Sequence, residues 1–177
     1  MRFVTTVSLL LSCLYAAEIK VDADAITKAH NDLRAEYGSP ALVYSKNLEN
    51  QAQKWATTLQ KNGCTMVHSQ GGTGENLFWA SAYKSADSKD EKGNLVWHRF
   101  LQKVNEKEVV QAWYDEEKWY DYKNNSCQQK RACGHYTQVI WETTTELGCA
   151  AAACSDGSQV WVCEYAPPGN IVGERPY

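Results

Sequence analysis

The mature part of the chain opens on a helical period. Ile26, Ala29, His30 and Leu33 recur at spacings of three and four, and Gly38-Ser39-Pro40 ends the segment. A second helix is predicted behind Ser45, which can cap it; its apolar face is Leu48, Ala52, Trp55, Ala56 and Leu59, and Asn62-Gly63 stops it. A third starts at Asn105, where Glu108 completes a capping box, and carries Val109, Ala112, Trp113 and Tyr120 on its apolar face. The pattern then changes: Tyr136 to Trp141, Leu147 to Cys154 and Gln159 to Tyr165 are rich in β-formers and separated by turn residues. Helices first and strands later indicate an α+β layer architecture. Between these halves, Lys84 to Gly93 is Ser-, Lys- and Asp-rich and reads as a solvated loop, while Val96, Trp97, Phe100 and Leu101 recur at helical spacing and read as core rather than as the lip of a ligand site.

The first 17 residues follow a different rule. Arg2 precedes an uncharged apolar stretch from Phe3 to Tyr15, which closes on Ala16 and Ala17. This is the form of an export signal, leaving residues 18–177 as one mature domain. Leu10-Leu11-Ser12-Cys13 also has the form of a lipoprotein box, which would leave Cys13 as a lipidated N-terminus. With 44% hydrophobic and 22% charged residues, the chain has the composition of one domain with an ordinary core. Its 18 Lys plus Arg against 21 Asp plus Glu supply no basic excess for a phosphate backbone, so nucleic acid is not expected as a partner. No apolar run reaches the length of about 18 residues that a transmembrane helix needs.

Export also accounts for an odd cysteine count. Cys13 lies in the leader, and Cys64, Cys127, Cys133, Cys149, Cys154 and Cys163 remain, enough for three disulfides in an oxidising compartment. A turn at Asp156-Gly157 sets Cys149 opposite Cys163 in a hairpin. Cys127 and Cys133 close a short polar loop, which leaves Cys64 for Cys154. Zinc ribbons use tighter cysteine pairs than these.

Four polar residues stand out. Glu116 falls on the buried stripe of the third helix, three residues after Trp113, where a carboxylate needs a partner. His68 follows the segment around Cys64, Glu75 follows the flexible stretch Gly71-Gly72-Thr73-Gly74, and His135 sits two residues after Cys133. Spacing alone does not bring the four together.

Motifs do. Gly134-His135-Tyr136-Thr137-Gln138-Val139-Ile140-Trp141 resembles the first signature of the CAP superfamily, which comprises cysteine-rich secretory proteins, antigen 5 and group-one plant pathogenesis-related proteins. His30-Asn31-Asp32-Leu33-Arg34 resembles the family's HNxxR element, Gly74-Glu75-Asn76-Leu77 its GEN element, and Cys163-Glu164-Tyr165 with Pro168-Gly169-Asn170 its second signature. The resemblance implies a three-layer α-β-α sandwich with a central antiparallel sheet and the same three disulfides. It also implies a cleft holding His68, Glu75, Glu116 and His135, able in some members to take a divalent cation such as zinc. The second signature departs from the usual pattern at Trp161 and Glu164, a change expected on the sheet surface. In sterol-binding relatives the aromatics after the third helix are spaced differently from Tyr120 and Tyr122.

Three functions follow from the resemblance. The first is a secreted module for a lipid, a sterol or a partner protein, in defence, virulence or interaction between cells. The second is a hydrolase whose metal is held by His68, His135 and a glutamate; the chain has neither an HExxH pair nor a Gly-x-Ser-x-Gly elbow, which favours a protein without catalytic activity. The third is a peptide precursor, with Pro167 to Tyr177 as the released segment.

Overall fold

The computed structural model describes residues 19–177; the leader and Cys13 lie outside them. A four-stranded sheet forms the middle layer, in the order β1 (Val43–Tyr44), β7 (Glu146–Ala153), β8 (Gln159–Ala166), β2 (Gly74–Ala80). All neighbours are antiparallel except the two-residue edge strand β1, which runs parallel to β7. The period of two along the central strands divides the core. Cys149, Ala151, Trp161, Cys163 and Tyr165 face one side, and Ala150, Ala152, Val160 and Val162 face the other. Because both sides are covered, β7 and β8 read as continuous apolar runs rather than alternating ones.

Helix α2 (Lys46–Lys61) alone covers the second side, through Ala52, Ala56 and Leu59. On the first side lie α1 (Ala23–Glu36), α3 (Glu106–Tyr114) and α4 (Gly134–Ile140). Asp22 caps α1 by accepting from the Asp24 and Ala25 amides, each at 3.0 Å. Ile26, His30 and Arg34 then fall on one buried stripe. The expected capping box of α3 is present: Asn105 Oδ1 accepts from the Glu108 amide at 3.0 Å and Glu108 Oε2 from the Asn105 amide at 2.9 Å. Ser45 occupies the N-cap position of α2 without a side-chain capping bond. The three disulfides join Cys64 to Cys154, Cys127 to Cys133 and Cys149 to Cys163, and the β7–β8 register sets Cys149 directly opposite Cys163.

Four expectations are corrected. Tyr136 to Trp141 is the body of helix α4, not a strand. Tyr136 through Trp141 is buried at every position, Thr137 and Gln138 included, so no exposed polar face marks the helical period, and a short run rich in β-branched and aromatic residues is then indistinguishable from a strand. Helix α3 ends at Tyr114 and passes into a 3-10 turn (Asp115–Trp119), so Tyr120 lies on a short strand, β5 (Tyr120–Asp121), paired with β6 (Ser126–Cys127); Ala112 is exposed. Residues 84–93 are not all loop. β3 (Tyr83–Lys89) and β4 (Leu95–Phe100) form a hairpin, and Val96, Trp97 and Phe100 belong to a strand rather than to a helix. Trp97 is 62% exposed and Phe100 47%, so the cluster is not core. Finally, Trp161 and Glu164 are 1% and 2% exposed, so the departure in the second signature alters the interior and not the surface.

Candidate functional site

The four residues assemble as two histidine–glutamate pairs. In the first, His68 Nδ1 lies 2.5 Å from Glu75 Oε1. Glu75 stands at the start of β2, and its carboxylate also accepts from the Ser69 amide at 3.2 and 3.3 Å. Its side chain is 6% exposed, whereas His68 is 62% exposed, so the carboxylate anchors and the ring faces solvent. Gly74 makes this placement possible. A Cβ there would lie 2.8 Å from the Gln138 amide carbon and 3.3 Å from Tyr165 Cβ, so any other residue would have to displace the Gln138 amide, whose oxygen accepts from the Gly169 amide at 3.0 Å.

The second pair is built on a helix terminus. Glu116 Oε2 accepts from the His135 amide at 3.0 Å and the Tyr136 amide at 3.4 Å, satisfying donors that the first turn of α4 leaves free. Its other oxygen, Oε1, lies 2.8 Å from His135 Nδ1. The 3-10 turn after α3 delivers Glu116 to this point, and the His135 ring stacks on Trp113 at 6.4 Å. Asn76, the next residue of β2 after Glu75, donates from Nδ2 to the His135 carbonyl at 3.1 Å and ties the two neighbourhoods together. Adjacent strand residues point to opposite faces, so Glu75 and Asn76 approach from different sides of β2. Among the described residues, no three His, Cys, Asp or Glu side chains are placed to share one metal ion. The donor chemistry nevertheless suits a borderline cation. With each Nδ1 held by a carboxylate, each ring has Nε2 available, which is how second-shell carboxylates orient metal-binding histidines.

A third carboxyl belongs to this neighbourhood and was not among the candidates. Glu164 is the cross-strand neighbour of Glu75 and accepts from the Thr73 hydroxyl at 2.5 Å. Only the β2–β8 register discloses it; in the sequence it is a variant position in a motif. Burial pushes the Glu164 carboxyl up to about 7, opposed by the Thr73 hydrogen bond and reinforced by the Glu75 charge. A carboxyl raised on folding contributes stability while protonated and loses it as pH rises from its ordinary value through its folded value. Stability should therefore fall between pH 4.5 and about 7 from this group. Glu164→Gln, which keeps an acceptor for Thr73 and offers Glu75 a donor, should remove that fall and gain on the order of 2 kcal/mol above the transition. Chemical denaturation of both proteins on either side of that interval checks it; parallel pH profiles would count against a protonated Glu164.

Residues 27–165 match the CAP family, described as the cysteine-rich secretory protein family. The chain belongs to this family. Among its CAP relatives, the pathogenesis-related protein PR-1 of Medicago truncatula is 40% identical over 148 residues, covering 83% of this chain and 74% of that protein. Pathogenesis-related protein 1B of Nicotiana tabacum is 33% identical over 174 residues, covering 98% and 92%. The fold is also that of the crystal structure of Na-ASP-1, with a TM-score of 0.64 at 24% identity over 99% of this chain. This chain spans 46% of Na-ASP-1, so it corresponds to less than half of that CAP protein. The three disulfides agree with the oxidising compartment in which such bonds persist. No helix among the described residues is long and apolar enough to cross a membrane.

Proposed function

We propose that this CAP protein is exported and acts by binding, taking a lipid, a sterol or a partner protein in a defence-related or other extracellular setting, with His68, Glu75, Glu116 and His135 as its polar site. The observation that carries the proposal is the pairing of each imidazole Nδ1 with a buried or half-buried carboxylate. This fixes two rings with Nε2 unengaged and turned to meet a polar group of a ligand. The pathogenesis-related names of the relatives support the defence setting.

His68 and His135 would offer zinc their Nε2 atoms, with Glu75 and Glu116 holding the opposite nitrogens. Bound there, zinc would supply a charged point of attachment for an anionic group of the ligand. Isothermal titration with zinc should show uptake by the mature protein, none by the double variant His68→Ala/His135→Ala, and an unchanged disulfide pattern in both. Equal heats from the two proteins, or none from the parent, would leave two hydrogen-bonded pairs without a metal role. Native mass spectrometry of protein purified without chelator separates a retained lipid from a retained metal by mass.

A further inference from the structure

We propose that the β3–β4 hairpin is a docking element for the surface of an anionic phospholipid bilayer. It lies apart from the histidine–glutamate pairs, and its strands pair only with each other. No other described element packs substantially against it. A lone two-stranded ribbon is marginal in water, so this one presents an unpartnered surface that a second body can stabilise.

The register defines what each face carries. Lys84 pairs with Arg99, Ala86 with Trp97 and Lys89 with Leu95, so one face alternates apolar groups with three cations and no acid. Tyr83 pairs with Phe100 and Ser85 with His98 on the other. Tyr83, Leu95, Trp97 and Phe100 are 59, 53, 62 and 47% exposed. Two of the three acids of the segment are diverted, and Glu91 stays exposed in the turn between the strands. Asp87, at the bulge, lies 3.3 Å from His98 on the second face. Asp90 is absorbed by the turn, accepting from the Lys92 and Asn94 amides and from Asn94 Nδ2. Arg99 reaches Asp156 only at 3.9 Å and stays half exposed. Residues 83–103 carry Lys84, Lys89, Lys92, Arg99 and Lys103 against Asp87, Asp90 and Glu91, a basic excess within a chain of net charge -3.

Two features favour a bilayer over a protein partner. Exposed Trp and Tyr interleaved with Lys and Arg match the headgroup region, where rings bury their bodies and cations meet anionic lipid. Large apolar side chains also stand on both faces of the ribbon. A protein covers one face, whereas a ribbon entering a bilayer interface meets lipid on both.

Co-sedimentation of the mature protein with vesicles of phosphatidylcholine and phosphatidylserine, and of phosphatidylcholine alone, tests this at low salt. The parent should sediment with the anionic vesicles. Lys84→Gln/Lys89→Gln should weaken that partition about thirtyfold, and Leu95→Ser/Trp97→Ser at least about tenfold. Melting points should stay nearly unchanged, because all four side chains are exposed and lie on the ribbon rather than in the core, and His68→Ala/His135→Ala should sediment like the parent whatever its zinc binding. A parent that stays in solution with anionic vesicles would overturn the proposal. So would hairpin variants that sediment as it does, or that keep vesicle binding while losing a protein ligand.

Discussion

Replacing Arg34 with methionine should cost about 3 to 5 kcal/mol, the largest loss expected from any polar substitution on α1. The Arg34 side chain is fully buried and acts as a clasp for four carbonyls. Nε donates to Pro40 at 2.8 Å, Nη1 to Val139 at 3.0 Å and Trp141 at 2.9 Å, and Nη2 to Thr144 at 2.9 Å. Burial pulls the guanidinium down to about 10, so it remains charged at neutral pH and its donors are charge-assisted. Methionine refills the volume but orphans the acceptors, whose desolvation is then uncompensated. Arg34→Lys keeps the charge with a single donor head and should fall between the two. Urea denaturation should show a lowered midpoint with an unchanged slope; a methionine variant within about 1 kcal/mol of the parent would mean that water replaces the clasp.

Gly148→Ala should be comparably damaging although it adds one methyl. A Cβ at Gly148 would lie 2.6 Å from both the Leu48 carbonyl carbon and the Ser45 carbonyl oxygen, and closer still to the Glu49 amide nitrogen. All three are backbone atoms at the start of α2, so no side chain can rotate away. The helix itself must lift off β7, and loosening the Ala52, Ala56 and Leu59 contacts should cost at least about 3 kcal/mol. Thermal unfolding of this variant beside Gly38→Ala, whose Cβ meets nothing within 4 Å, separates the steric cost from glycine's conformational one. Because Gly38 has φ +72° and Gly148 no positive φ, a Gly148→Ala loss no larger than that of Gly38→Ala would show that α2 yields to the added methyl at little cost.

What could be read from the residues follows from which elements have one wet face. Helices α1, α2 and α3 expose one side, so their apolar stripes mark them, and the Asp156-Gly157 turn set the β7–β8 register correctly. Helix α4 is enclosed on all sides over Tyr136 to Ile140 and has no stripe to read. The β3–β4 hairpin failed for the opposite reason: both faces are wet, so its polar residues imitate a loop. In the site, the expectation that Glu116 needs a partner holds, since His135 supplies one, but its premise does not: Glu116 lies on the 3-10 turn after α3 and not on a buried stripe of the helix. The Glu75–Glu164 neighbourhood depends on two strands far apart in the chain and had no local sign. The resemblance to CAP proteins supplied the histidines and glutamates as a set, but the division into two pairs is visible only in three dimensions.

The strand order also bears on how the chain is made. β8 closes at Ala166, yet it lies between β7 and β2 in the interior of the sheet. Until it leaves the ribosome, β2 has no neighbour, and the acceptors for Arg34 on residues 139–144 are themselves made more than a hundred residues after the guanidinium. Loop-closure entropy must be met across nearly the whole length before the core forms. The nascent chain therefore presents an unpaired strand edge and a bare apolar helix face, and a holding factor has most to act on in that interval.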